Sequence, residues 1–389
     1  MSLPTPDADA LAYSAALTDQ IGAEIARSGG WIGFDRFMEL ALYAPGMGYY
    51  SGGARKFGAA GDFVTAPELS PAFAQTLAAQ VVQFMTMGLS EVIEVGAGSG
   101  RLAADLLLEL ERCDSLPVHY RILDLSGELR ERQRETIGQS APHLLARVSW
   151  IDRLPERFDG LVIANELLDA LPVHLVAWRD DAHCSAICER GVVVRDGSFV
   201  WEDRPASGHL LERAQLLADD QAIPPGYLSE ICLAAPAWVG AWAGIIGRGA
   251  LLLIDYGFPQ REYYHPQRNA GTLMCHYRHY AHGEPFYLPG LQDITAHVDF
   301  TAIVDAGCTA GLDLLGYTTQ ATFLFNCGLT DVLARTPASD PTRYLPLANA
   351  AQKLISPAEM GELFKVIALG KGIAEPLLGF RQGDRSATL

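Results

Sequence analysis

Residues 91–100 read EVIEVGAGSG, and the fold turns on this stretch. Val92, Ile93 and Val95 are strand formers on either side of Glu94. The run then breaks into Gly96-Ala97-Gly98-Ser99-Gly100. Leu102, Leu106 and Leu110 follow at helical spacing, among strong helix formers. The pattern predicts strand, glycine turn, helix. The glycines permit positive φ and let a ligand approach the backbone closely. The helix behind them offers free N–H groups and the positive end of its dipole. Such a turn suits an adenosine cofactor.

The spacing narrows the choice. A dinucleotide fingerprint is G-x-G-x-x-G with an acid about 20 residues on. Here the glycines read G-x-G-x-G, with Glu94 inside the strand end. That pattern resembles the first motif of class I S-adenosylmethionine (SAM) methyltransferases. SAM carries an ammonium and a carboxylate instead of a pyrophosphate. A carboxylate beside the turn can meet the first, and the helix N-terminus can face the second. Glu94, Gly96, Gly98 and Gly100 are therefore the expected cofactor turn.

Downstream, 118–125 (VHYRILDL) reads as a second strand ending in Asp124, 24 residues past Gly100. An acid there can accept both hydroxyls of an adenosine ribose. A third strand at 147–151 precedes Asp152, which could reach the adenine amine. The nearly unbroken apolar run 159–164 is a strand buried on both faces. Asn165, Glu166 and Asp169 follow it. Ligands of open α/β sheets sit at the carboxyl ends of the strands, so these three fall on the acceptor side. Further strands are expected at 249–255, 312–319 and 363–369.

Upstream, helices are expected at 17–27, within 31–50 and at 71–87. Ser70-Pro71 is a good entry to the third. The loop ahead of it carries Asp62, Thr65, Pro67 and Glu68 and is placed to fold over a cofactor. Residues 173–230 change character. Apolar runs flank the turn Arg195-Asp196-Gly197-Ser198, which signals a hairpin in an antiparallel lid or substrate wall. Residues 271–300 look loop-like and hold four of the ten histidines, at spacings that match no standard zinc pattern, so no metal is expected.

Composition sets bounds. The chain has 389 residues, 49% hydrophobic and 19% charged, and is globular by both measures. Its net charge of −17 argues against nucleic acid, which needs clustered Lys and Arg. Seven scattered cysteines with no C-x-x-C pair fit reduced thiols in a cytoplasm. The first residues show no signal-peptide pattern. The uncharged stretch 231–247 is shorter than the roughly 20 residues of a membrane span and holds Pro236, so a buried helix is expected.

Seven motifs coincide along the chain: GDFVTAPELSPAF, EVGAGSG, NELLDALP, IDYG, GTLMCHYRH, PGLQDITAHVDF and MGELFKVIALGKG. Together they resemble the MidA-like methyltransferase family, whose mitochondrial member is a complex I assembly factor. The resemblance implies an α/β fold of the class I type, Rossmann-like, with a seven-stranded mostly parallel sheet, N-terminal helices and an antiparallel insertion. It implies SAM as cofactor and a protein partner with an exposed arginine, such as a complex I subunit, modified by symmetric dimethylation. By position, Glu94, Gly96, Gly98 and Gly100 match the family's cofactor turn, and Asn165, Glu166 and Asp169 its acceptor loop. Asp124 stands where the family more often has Glu, and Ala66 where Ser is usual. The organisation expected is an N-terminal segment with a covering loop (1–90), a core (91–172 and 249–372) and an insertion (173–248). A small-molecule methyltransferase and a SAM-binding assembly factor without catalysis are the alternatives.

Overall fold

The computed structural model describes residues 3–52, 65–179 and 187–389. Asp62 and Cys184 lie outside them. The chain packs as two compact units. One comprises Val64–Leu167, Trp238–Gly257 and Phe300–Leu389. The other comprises Met1–Phe63, Leu168–Ala237 and Phe258–Asp299.

The first unit is built on seven strands of one sheet, β1 (Glu91–Val95), β2 (His119–Leu123), β3 (Val148–Ile151), β4 (Phe158–Asn165), β5 (Ile246–Phe258), β6 (Asp313–Thr319) and β7 (Phe364–Lys371). Their order across the sheet is β3-β2-β1-β4-β5-β7-β6. Strands β1 to β5 pair parallel, in agreement with their near-continuous apolar sequences. Strand β7 enters antiparallel between β5 and β6. The order of the parallel strands reverses between β1 and β4, and the carboxyl ends of that pair form the topological switch point.

Three helices follow sequence rules that the residues announce. Helix α1 (Pro71–Thr86) has Pro at its first position and Ser70 as N-cap, whose side chain accepts from the Ala72 N–H. Helix α2 (Arg101–Arg112) starts from Gly100 at φ +83°, a left-handed conformation that glycine adopts without strain. Helix α3 (Gly127–Ser140) is capped by Ser126, which accepts from the Leu129 N–H. The apolar faces of α1 and α2 share a core with Val92, Leu161, Ile163 and Leu252.

The second unit is mainly antiparallel. Strands His174–Trp178, Ile187–Arg195, Ser198–Pro205 and Tyr227–Ile231 form one sheet, joined at its edge by Ile32–Gly33. The expected hairpin is present, with Arg195 opposite Ser198. Asp196 and Gly197 both have positive φ, as a two-residue type I′ turn requires. Phe34, Phe37, Trp201 and Phe286 pack against one another at its core, Phe34 on Phe37 stacked and the other pairs tilted or edge-on.

Three expectations are corrected. The segment 271–300 is not simply a loop: Met274–Tyr277, Tyr280–His282 and Asp293–Thr295 make a three-stranded sheet. Its strands of three or four residues are too short for a period-2 pattern to register. Next, the expected domain boundaries fall elsewhere. Helix α1 lies in the unit of the parallel sheet and not in an N-terminal segment, because Phe73, Leu77 and Val81 are wholly buried in that core. Residues 258–299 pack with the insertion and the N-terminal helices, and the chain after 372 returns to the core through Leu377 and Phe380. Finally, the helix expected within 31–50 is confined to Phe34–Tyr43, since Ile32 and Gly33 pair with Val192 and Gly191 instead. Among the described residues no helix is long and apolar enough to cross a membrane.

Leu252 of β5 is wholly buried, whereas Val194 in the hairpin is exposed. Leu252→Ala should cost about 2–5 kcal/mol through lost transfer energy and a residual cavity. Val194→Ala should cost less than about 0.5 kcal/mol. Denaturant unfolding of the two variants checks the assignment of the core.

Candidate functional site

The carboxyl ends of β1, β2 and β4 carry most of the residues singled out in the sequence. After β1 the chain turns through Gly96 at φ +69° and Gly98 at φ +52°. A Cβ on Gly96 would lie 2.8 Å from Leu167, and one on Gly100 would lie 2.9 Å from the Gln133 backbone. Positive φ at these glycines and the close approach of the Gln133 backbone at Gly100 keep side chains off these positions.

Glu94 is 2% exposed, and its Oε2 accepts the Tyr120 hydroxyl at 2.6 Å. Burial pushes its pKa up to about 7, against the lowering effect of the Tyr120 bond. Asp124 closes β2. Its Oδ1 accepts the Ser126 N–H at 2.9 Å, and its Oδ2 accepts Gln133 Nε2 at 2.8 Å. Burial raises its pKa, and these bonds oppose the rise. Arg130 donates to the carbonyl of Asp124 and, at 3.2 Å, to that of Ile151, tying the ends of β2 and β3 together. Asp152 follows β3 and is exposed to solvent.

The loop ahead of α1 docks on this end of the sheet. Thr65 leads the short helix Ala66–Leu69, in which Ala66 and Pro67 are buried. Glu68 Oε1 accepts the Ser99 hydroxyl of the glycine turn. The Ala66 N–H donates to Glu166 Oε1 at 3.1 Å, and Asn165 Nδ2 donates to the same oxygen at 3.1 Å. Glu166 itself has φ +51°, unusual for a side chain of that size. Its N–H donates to the Ile254 carbonyl of β5, and the next N–H, of Leu167, donates to buried Asp255. The structure thus gathers Glu68, Ser99, Asn165 and Glu166 within one unit. Asp169 belongs to the other unit, where it is buried and its carbonyl accepts the Ala296 N–H.

Three residues were not anticipated. Gln133 is wholly buried and bonds Asp124, the Gly98 carbonyl and Trp150. Its place on α3, nine residues from Asp124, carries no sequence signal. Leu125 is 82% exposed immediately after Asp124, an apolar face at a polar site. Asp255, the buried acceptor beneath Leu167, ends the apolar run of β5 and could have been noticed in IDYG. Elsewhere, in the second unit, His174 Nδ1 lies 2.7 Å from Glu189 and 3.5 Å from Asp35, which raise the pKa of the imidazole against its burial.

A glycine turn with inward acids at the carboxyl ends of parallel strands fits an adenosine-type cofactor, and relatives name it. Residues 76–318 match the family described as "Putative S-adenosyl-L-methionine-dependent methyltransferase". The chain belongs to this methyltransferase family. A Burkholderia thailandensis protein solved with S-adenosyl-homocysteine bound is 58% identical, with all of both chains covered and a TM-score of 0.95. A protein arginine methyltransferase NDUFAF7 homolog from Drosophila melanogaster is 28% identical over 96% of this chain and 91% of its own. Protein arginine methyltransferase NDUFAF7 from Danio rerio is 26% identical over 87% of this chain and 83% of its own. The methyltransferase therefore has the class I fold and uses SAM, as the glycine turn implied. Both of these arginine methyltransferases are named as mitochondrial, which overturns the expectation of a cytoplasmic setting. That expectation rested on the cysteine pattern and on the lack of a signal-peptide pattern, and free thiols do not distinguish one reducing compartment from another.

The raised pKa of Glu94 makes stability depend on pH. The folded state binds the proton more tightly than the unfolded chain, so stability falls as pH rises from about 4.5 to about 7. The loss attributable to Glu94 is at most about 3 kcal/mol. Glu94→Gln keeps a neutral side chain and should flatten this part of the profile. Thermal unfolding of the ligand-free protein at pH 5 and pH 8 measures it; equal slopes in both proteins would remove Glu94 as the cause.

Proposed function

We propose that this methyltransferase transfers the methyl group of SAM to an arginine of a protein. The finer reading is symmetric dimethylation of a respiratory complex I subunit. The observation that carries it is the Glu166 carboxylate, fixed at the carboxyl end of β4 by the Ala66 N–H and the Asn165 amide. A carboxylate can accept paired, charge-assisted hydrogen bonds from a guanidinium. The names of the curated relatives support the same acceptor.

When bound, SAM supplies an electrophilic methyl on a sulfonium. The chain's residues do the rest. Gly96, Gly98 and Gly100 leave the backbone accessible, and α2 turns its N-terminus to the cofactor's carboxylate. Glu94 is assigned to the ammonium and Asp124 to the ribose hydroxyls. Leu125 offers an apolar face to the adenine, and Asp152 a carboxylate to its amine. Thr65, Pro67 and Glu68 cover the turn through the Glu68–Ser99 contact.

An arginine guanidinium is protonated and a poor nucleophile. Glu166 holds it by paired charge-assisted hydrogen bonds and directs one nitrogen at the methyl. The left-handed backbone of Glu166 costs of order 1–3 kcal/mol, and strain of this kind gathers at functional positions. Asn165 keeps the Glu166 carboxylate in place.

Glu166→Gln should reduce transfer of labelled methyl to an arginine-bearing protein fraction by about a hundredfold or more, while calorimetry shows SAM binding within about twofold of wild type. Unchanged turnover would remove Glu166 from the acceptor site. Label recovered on a residue other than arginine would remove the arginine reading and keep the methyltransferase. Asp124→Ala should weaken SAM binding by about tenfold to a hundredfold, the usual loss for a charged hydrogen-bond acceptor.

A further inference from the structure

We infer that Gln133 is the positioning residue of the cofactor site, setting the Asp124 carboxylate and the glycine turn in register with one another. The inference rests on the assignment of Asp124 to the ribose.

Gln133 is a wholly buried primary amide on α3. Its Oε1 accepts the indole N–H of Trp150, on β3, at 2.8 Å. An indole nitrogen only donates, so this contact decides which end of the amide is oxygen. The NH2 group must then point the other way. It meets Asp124 Oδ2 at 2.8 Å and the Gly98 carbonyl at 3.1 Å. Both of its protons are spent on acceptors, and every one of its contacts is to a residue at the carboxyl end of the sheet or to β3. Trp150 is held in turn by the Arg134 guanidinium, 4.4 Å above its ring.

Three consequences follow from that geometry. The donor amide stabilises the ionised form of Asp124, whose burial alone favours the neutral form. One carboxylate oxygen is fixed by the amide and the other by the Ser126 N–H, so the orientation of the group is determined before any ligand arrives. The same amide fixes Gly98, the middle glycine of the turn, so the ribose acceptor and the backbone that faces the rest of the cofactor cannot shift independently. Pre-organisation of this kind lowers the cost of binding and leaves the methyl-transfer step untouched.

The substitution that tests this is Gln133→Glu. It keeps the shape and the acceptor for Trp150, but replaces both donors with lone pairs facing Asp124 and the Gly98 carbonyl. SAM Kd and the KM for SAM should rise about tenfold to a hundredfold, with kcat changed less than about twofold. The defect should shrink as pH falls, because a proton shared between the new carboxyl and Asp124 restores a hydrogen bond. Trp150→Phe removes only the contact that orients the amide, and should raise Kd about twofold to fivefold with unchanged kcat; it serves if the first variant does not fold. A purely structural role would lower the unfolding temperature and leave Kd, KM and their pH dependence at the wild-type values. That result in either folded variant overturns the inference. Asp124→Ala separates the two levels: if it binds SAM normally, the ribose assignment itself fails, whereas weakened binding there with normal binding in Gln133→Glu overturns the role of Gln133 alone.

Discussion

The parallel pairing of β1 with β4, at the point where strand order reverses, is the constraint on which the rest depends. Val92 to Val95 lie beside Leu161 to Ala164, and each of the two strands is paired on both sides. Adjacent parallel strands at which the strand order reverses leave a crevice at their carboxyl ends. The glycine turn opens from one strand and the Asn165–Glu166 corner from the other. A shift of this pair by one residue would turn every inward side chain outward. The cofactor turn and the acceptor corner would then no longer face the same crevice.

Electrostatics at that crevice are set by burial as much as by charge. Glu94, Asp124 and Asp255 are all carboxylates in places that water scarcely reaches. Each is retained because it has donors: Tyr120 for Glu94, Ser126 and Gln133 for Asp124, and the Leu167 and Tyr256 amides for Asp255. Neutral donors orient these groups without cancelling the charge of the ionised form. A cofactor that carries a sulfonium and an ammonium, and an acceptor that carries a guanidinium, both suit such a surface. The net charge of −17 is consistent with this preference but does not locate it.

Much of the core could be read directly. The strands at 91–95 and 158–165 are short apolar runs bounded by turn residues, and Ser70-Pro71 and Ser126-Gly127 are plain helix entries. The hairpin at Asp196-Gly197 has the residues its turn type demands. The sheet within 271–300 was not readable, because its pairing is between segments and its strands are too short for periodicity to register. The division into units was not readable either. Whether residues 258–299 join the core or the insertion depends on which surface they bury, and Ile294 and Ala296 bury theirs among Phe34, Phe37 and Leu175.

The candidate site divides in the same way. Local chemistry sufficed to mark Gly96, Gly98, Gly100, Asp124 and Glu166, since a glycine-only turn and acids after strands are patterns within a few residues. Which groups hold them was decided by tertiary structure alone. Gln133 reaches Asp124 and Gly98 only because α3 packs back over the ends of β1, β2 and β3. Ala66 meets Glu166 across 100 residues of sequence. Glu68 meets Ser99 across 31 residues. The chain by itself determined the class of fold and the type of cofactor, because these rest on backbone conformations that only certain residues permit. The orientation of each carboxylate was left to the fold, because a buried charge takes its direction from donors that arrive from elsewhere in the chain.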